Sequence, residues 1–128
     1  MITVNVLIDS SGWIEFFSKG KKSGKIEKYI QNASKESNFV PSIVLFEVYK
    51  KIKKEFGEDK ANQAVAYIVD SAKIIVLDER IAIYAAEMSL QTGLAMADAI
   101  IKATADLKNA ELKTLDNHFK GMANVEII

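Results

Sequence analysis

There is no cysteine in the 128 residues. That excludes a disulfide framework, a thiolate metal site and a cysteine nucleophile, and it fits a reducing, cytoplasmic setting. Arginine is almost missing too: of 17 basic residues only Arg80 is arginine, and the rest are lysines. They are balanced by 17 acidic residues, so the formal net charge is zero. Such a chain does not draw nucleic acid by bulk charge, and any basic surface has to be local. Proline occurs once, at Pro41, and no Pro- or Gly-rich linker breaks the chain. No apolar run is long enough to span a membrane, and no basic segment precedes an apolar core at the amino end. Neither a transmembrane helix nor a signal peptide is therefore expected. What is plentiful is core-forming material, 49% hydrophobic residues, in a length that suits one domain over 1–128.

The organising stretch is TVNVLIDSSGW at 3–13. It reads as an apolar strand over 4–8 that stops at Asp9, then small residues, then Trp13 opening a short helix with Ile14, Phe16 and Phe17. Further on, Ser23 suits the N-cap of a helix over 25–33, with Ile26, Tyr29, Ile30 and Ala33 on one face. A short strand over 38–40 ends at Pro41, and Ser42 can cap a helix over 43–56 that Gly57 stops. A helix over 58–71, a buried strand over 73–77, a helix over 79–91 capped by Asp78 and an Ala-rich helix over 96–107 follow. A strand over 111–115 ends at Asp116, a helical turn covers 117–120, and a last strand covers 125–128. Strands alternating with helical segments predict a parallel sheet with helices on both faces.

Most carboxylates stand where a solvated face would put them. Four have apolar or small surroundings: Asp9 at a strand end, Glu47 inside SIVLFEVYKK, Asp98 in GLAMADAIIKATA, and Asp116 after the strand KTL. Each has a plain structural reading. Asp9 and Asp116 can cap helices or turns, Asp98 can be a first-turn acid favoured by the helix dipole, and Glu47 can lie on a wet helix face. Together they carry more. In a parallel sheet Asp9 and Asp116 end on the same edge, and Glu47 and Asp98 sit near the starts of helices that can reach it. Carboxylates that converge repel unless cations intervene, which points to Mg²⁺ or Mn²⁺ held by oxygen ligands. Such a site suits phosphodiester hydrolysis, with a metal-made hydroxide as nucleophile; two ions would sit about 3.5–4 Å apart.

The pieces VLIDSSGW at 6–13, PSIVLFEV at 41–48, MADAIIKATA at 96–105 and TLDNHF at 114–119 resemble the motifs of the PIN domain, in the family's order and over nearly the whole chain. The length is that of the VapC-like toxin group. The resemblance implies a three-layer α/β/α sandwich on a Rossmann-like parallel sheet of four to five strands. It implies a Mg²⁺- or Mn²⁺-dependent ribonuclease, commonly the toxin of a type II toxin–antitoxin pair, acting as a cytoplasmic homodimer with a small antitoxin that blocks the acidic site. Residue by residue, Asp9, Glu47, Asp98 and Asp116 are similar to the four metal-binding and catalytic acids. Ser10 is similar to the polar residue that supports Asp9, and Thr114 to the hydroxyl of the T-x-D element.

Other residues have two readings each. Lys50, Lys51 and Lys54 follow Glu47 and could hold RNA phosphates, or simply solvate the helix. Lys19, Lys21, Lys22 and Lys25 form a similar cluster. Trp13, Phe16 and Phe17 could stack on bases, but core or dimer packing suits them better. His118, the one histidine, could be a proton donor or ligand; a turn residue beside Phe119 is the plainer role. Ser10 and Ser11 lack a base that would make them nucleophiles. A haloacid-dehalogenase-like phosphatase would want an acid where Ser11 stands. A receiver domain would want acids near the first strand, and residues 1–5 have none. The non-enzymatic alternative is a PIN-like scaffold that binds RNA or a protein without cutting.

Overall fold

The computed structural model describes residues 4–128; Thr3, which opens the organising stretch, lies outside the described residues. Five strands form one sheet: β1 (Val6–Ile8), β2 (Asn38–Pro41), β3 (Lys73–Ile75), β4 (Glu111–Thr114) and β5 (Val125–Ile127). Their order is β3-β2-β1-β4-β5 and every neighbouring pair is parallel. The helices are α1 (Ser10–Phe17), α2 (Ser23–Asn32), α3 (Ser42–Phe56), α4 (Glu58–Ser71), α5 (Glu79–Thr92) and α6 (Met96–Leu107). Two 3₁₀ turns, Lys35–Ser37 and Asn117–Phe119, complete the chain. This is an α/β/α sandwich: with this strand order, the right-handed crossover rule assigns α1 to α4 to one face of the sheet and α5 and α6 to the other.

The central strand explains itself. Leu7 and Ile8 are fully buried, because a parallel strand flanked on both sides has both its faces covered. Trp13 is fully buried as well, stacked on Phe17 with ring centroids 5.8 Å apart, with Phe16 and Tyr67 edge-on to it. That places it in the core rather than on a base-stacking surface. Gly12 is fixed by close approach: a Cβ there would lie 2.5 Å from Ile8 Cγ2. Only glycine lets the first turn of α1 sit that tightly on β1.

Local signals fail in four places. Ser42 does not cap α3; Pro41 holds the cap position and Ser42 is already helical. Likewise Ser23 begins α2 rather than capping it. Val4 is exposed and precedes β1. The strand expected over 73–77 stops at Ile75, and Val76 and Leu77 are 67% and 51% exposed. Apolar side chains extended the reading there, but β3 is a sheet edge with one neighbour, and the pairing ends at Pro41–Ile75. Asp78, by contrast, caps α5 through the Ile81 N–H at 2.9 Å.

The chain leaves β1 towards β2 and β3, then returns across the sheet to β4. Strand order therefore reverses between β1 and β4. The carboxyl ends of two strands that part company leave a crevice, which is where open α/β sheets form their sites.

Candidate active site

Asp9 lies in that crevice directly after β1. It is 3% exposed. Its Oδ1 accepts from the Gly12 N–H at 3.1 Å, which caps α1, and from Ser11 Oγ at 2.6 Å. Its Oδ2 accepts from Thr114 Oγ1 at 2.5 Å. Helix capping and site membership are thus not alternatives; one oxygen serves the helix and the other faces the end of β4. Thr114 Oγ1 also accepts from the Asp116 N–H at 2.9 Å, so one hydroxyl spans two of the acids.

Ser10 does not support Asp9. Its hydroxyl donates to Glu47 Oε1 at 2.8 Å and ties α3 to the crevice. Ser11 is the residue at Asp9, and it also accepts from the Leu115 N–H at 3.0 Å. Sequence reasoning named the wrong neighbour because adjacent helical residues point about 100° apart. An Asp-x-Ser pair at a helix start is the signal that could have found it.

Asp98 stands in the first turn of α6, where the helix dipole favours an anion. Asp116 caps the turn Asn117–Phe119 through the His118 N–H at 2.9 Å. The turn swings His118 round, leaving its Nδ1 3.2 Å from Asp116 Oδ1 and 3.4 Å from Asp98 Oδ2. Asp98, Asp116 and His118 offer three ligand atoms all within 4.8 Å of one another. This trio differs from the four acids expected: Asp9 is linked to Asp116 through the Thr114 hydroxyl, while Glu47 is held by Ser10, the residue after Asp9, and is not part of the trio. His118 is more than a turn residue; its backbone makes the turn and its ring closes the acidic group. Phe119, fully buried, anchors the turn from below.

The electrostatics have one sign. Burial pushes the Asp9 carboxyl above its ordinary value; hydrogen bonds from Ser11, Thr114 and Gly12 oppose this, and the charge of Asp116 adds to it. Burial and then the Asp116 charge push Asp98 up as well, with His118 opposing. Among the described residues no lysine or arginine is ion-paired with Asp9, Glu47, Asp98 or Asp116. Oxygen-rich donors with no balancing cation fit a hard divalent ion. Of the lysines after Glu47, Lys51 is paired with Glu55 at 2.7 Å, and Lys50 and Lys54 are exposed and unpaired among the described residues.

The chain belongs to the PIN domain family, whose model matches residues 6–125. It is similar in structure to a chain of a toxin–antitoxin complex from Klebsiella pneumoniae, with a TM-score of 0.77 and 27% identity over 95% of this chain and 96% of that one. It is similar in fold to VapC20 of Mycobacterium tuberculosis, a toxin that cleaves the sarcin–ricin loop, with a TM-score of 0.76, 14% identity, and 93% and 95% of the two chains covered. A chain of VapBC2 from Rickettsia felis, bound to promoter DNA, aligns with a TM-score of 0.74 at 21% identity over 96% and 98%. No curated protein sequence matches the chain.

Proposed function

We propose that this chain is a Mg²⁺- or Mn²⁺-dependent endoribonuclease and the toxin of a toxin–antitoxin pair. The observation that supports this most directly is the group of buried or half-buried carboxylates at the switch point of the sheet, with no lysine or arginine paired to them among the described residues. Asp98 and Asp116, with His118 beside them, would hold the ion. Asp9 would join them through its Oδ2 face. A bound ion supplies a polarised phosphate and a hydroxide at neutral pH. The protein's own part is positional. Ser11, Gly12 and Thr114 fix the Asp9 carboxylate before substrate arrives, so no reorganisation is needed during reaction. Ser10 fixes Glu47 at the α3 side, where it can orient water or accept its proton. Lys50 and Lys54 lie further along α3 from Glu47 and would take backbone phosphates.

The toxin–antitoxin neighbours support a protein partner, and in this reading that partner covers the acidic site. A second copy of the chain belongs to the same reading. Leu77 and Met96 line a shallow hollow of about 320 Å³ with Ala82, Ala85, Ala86 and Ala99 between α5 and α6. Exposed apolar surface of this kind is what a partner covers. Among the described residues no helix is long and apolar enough to cross a membrane.

The test is cleavage of a mixed RNA pool with Mn²⁺ or with EDTA, by the wild type and Asp98→Asn. Cleavage that requires the metal and disappears in Asp98→Asn supports the reading. Full activity in Asp98→Asn overturns it. Tight RNA binding with no Mn²⁺ binding by calorimetry would make the chain a non-cutting scaffold.

A further inference from the structure

Three aromatic residues of α1 offered themselves as base stackers, and the fold removes them: Trp13 is fully buried, and Phe16 and Phe17 pack against it and Tyr67. A different ring stands free. Phe46 is 62% exposed, and it immediately precedes Glu47. Helix α3 starts where β2 ends, so its first two turns lie at the crevice. Glu47 is turned to Ser10, and a step of about 100° turns Phe46 from that face towards solvent. A phenylalanine ring left in solvent forgoes the gain of burial, and this one does so at the residue next to Glu47.

Its surroundings are specific. One turn on, Lys50 Nζ lies 5.7 Å from the centroid of the Phe46 ring, within cation–π reach. Lys51 and Lys53 are paired with Glu55 and Glu58, at 2.7 and 3.6 Å. Lys50 and Lys54, on the stripe shared with Glu47, have no carboxylate partner among the described residues. The free charge on α3 is thus concentrated along the line that leads from the site past the exposed ring.

We propose that Phe46 is a stacking platform for an unpaired nucleobase flanking the cleaved bond, with Lys50 holding that nucleotide's phosphate. The inference rests on the reading of the chain as an RNA-cutting enzyme and assigns two side chains to the nucleotide beside the cut. Bases in a duplex are stacked on each other and offer no free face, whereas splayed bases stack on aromatic side chains. Stacking tolerates any base, so Phe46 sets register and strandedness rather than sequence.

The experiment is fluorescence anisotropy of a labelled short oligoribonucleotide with wild-type protein in EDTA, with the molecular mass of each sample read by light scattering. Phe46→Leu keeps an apolar side chain and removes the ring. It should weaken binding about tenfold, with Phe46→Trp binding as the wild type or tighter. Lys50→Ala should weaken it too and flatten the salt dependence by about one in slope. One abasic nucleotide should cost the wild type as much as Phe46→Leu costs, and cost that variant nothing more. Wild-type affinity in Phe46→Leu, or no RNA binding by the wild type, overturns the proposal. So does a Phe46→Leu protein whose only change is a lower mass, since the ring would then be a face between copies. Ring-dependent binding without Mn²⁺-dependent cleavage would retain the platform and remove the nuclease. Cleavage with KM untouched by Phe46→Leu would do the reverse.

Discussion

Lys113 and Thr114 are neighbours on β4, and each belongs to a cluster of charge; the two clusters are built on opposite rules. Lys113 is 8% exposed. It pairs with Glu111 and with Glu126 of β5, and its Nζ lies 4.4 Å from the centroid of the Tyr29 ring. Tyr29 donates to Glu126 at 2.8 Å, and Lys25 is 3.4 Å from the same carboxylate. Every charge has a partner. Burial alone would lower the Lys113 ammonium, but hydrogen bonds and charge from Glu111 and Glu126 carry it upward. The hydrogen bond from Lys113, then that from Tyr29, hold Glu126 down at about 2. Thr114, one residue on, touches Asp9, in a group where burial raises carboxyls and, among the described residues, no lysine or arginine is paired. A paired cluster ties strands and helices together. An unpaired one weakens the fold until something binds, which is the pattern expected of the proposed site.

The largest contrast is in what charge removal does. Asp9→Asn should abolish metal-dependent RNA cleavage while leaving the thermal midpoint equal or higher, because asparagine caps a helix as well as aspartate and the desolvated charge is gone. Lys113→Met should do the opposite. Its partners are partly exposed and can rehydrate, so the loss should fall below the roughly 3–5 kcal/mol of a fully buried pair, at about 2 kcal/mol, with cleavage retained once folded. Thermal melts and cleavage assays on both variants check this. Asp9→Asn melting well below Lys113→Met would erase the distinction.

A bound ion should narrow the difference. In saturating Mn²⁺, at about a hundredfold over its dissociation constant, the wild type should gain about 2.7 kcal/mol, and Asp98→Asn should gain little. Urea titrations with and without the ion measure it; equal gains would mean that the ion binds elsewhere.

The two clusters also titrate in opposite senses. Glu126 falls from 4.5 to about 2 on folding, so its contribution is present above 4.5 and is lost as pH drops through 2. Asp9 and Asp98 rise from 3.8, so theirs is present below 3.8 and is lost as pH climbs through their raised values. In EDTA, Glu126→Gln should flatten the acid side of a stability profile, and Asp9→Asn the side towards neutrality. Urea midpoints across this range decide it, and identical profiles for the two variants would refute the assignment.

How much of this was legible depended on whether a signal was local. Helices over 58–71 and 96–107 were read to the residue, since apolar periodicity, the stop at Gly57 and the acidic first turns all lie within the segment. The acids were legible as candidates because Asp9 and Asp116 follow strands, Asp98 lies in a first helical turn and Glu47 one turn into another helix, all amid apolar or small residues, and strand ends in a parallel sheet share an edge. Their partners were not. Ser10 and Ser11 look alike in sequence, and only the helix's rotation sends one to Glu47 and the other to Asp9. The nearness of His118 to Asp98 depends on a turn meeting a helix twenty residues earlier. The Lys113 cluster was not read, because apart from Glu111 its partners come from β5 and α2, and nothing local to KTL names them.

That cluster can be probed more finely at Tyr29, the smallest effect of the set. Tyr29→Phe keeps the ring under Lys113 and deletes only the hydroxyl that donates to Glu126. The loss should be that of one hydrogen bond to a charged acceptor, partly replaced by water at this half-buried site: about 0.5–1.5 kcal/mol at neutral pH. The cost should hold through the acid range and shrink only as pH falls towards 2, where Glu126 protonates in the folded protein and no longer needs the donor. Cleavage should not change, since the hydroxyl lies on the far side of β4 from Asp9. If Tyr29→Phe instead lowers cleavage as much as stability, the two clusters are coupled through β4, and pairing at Lys113 is part of how Thr114 is held against Asp9.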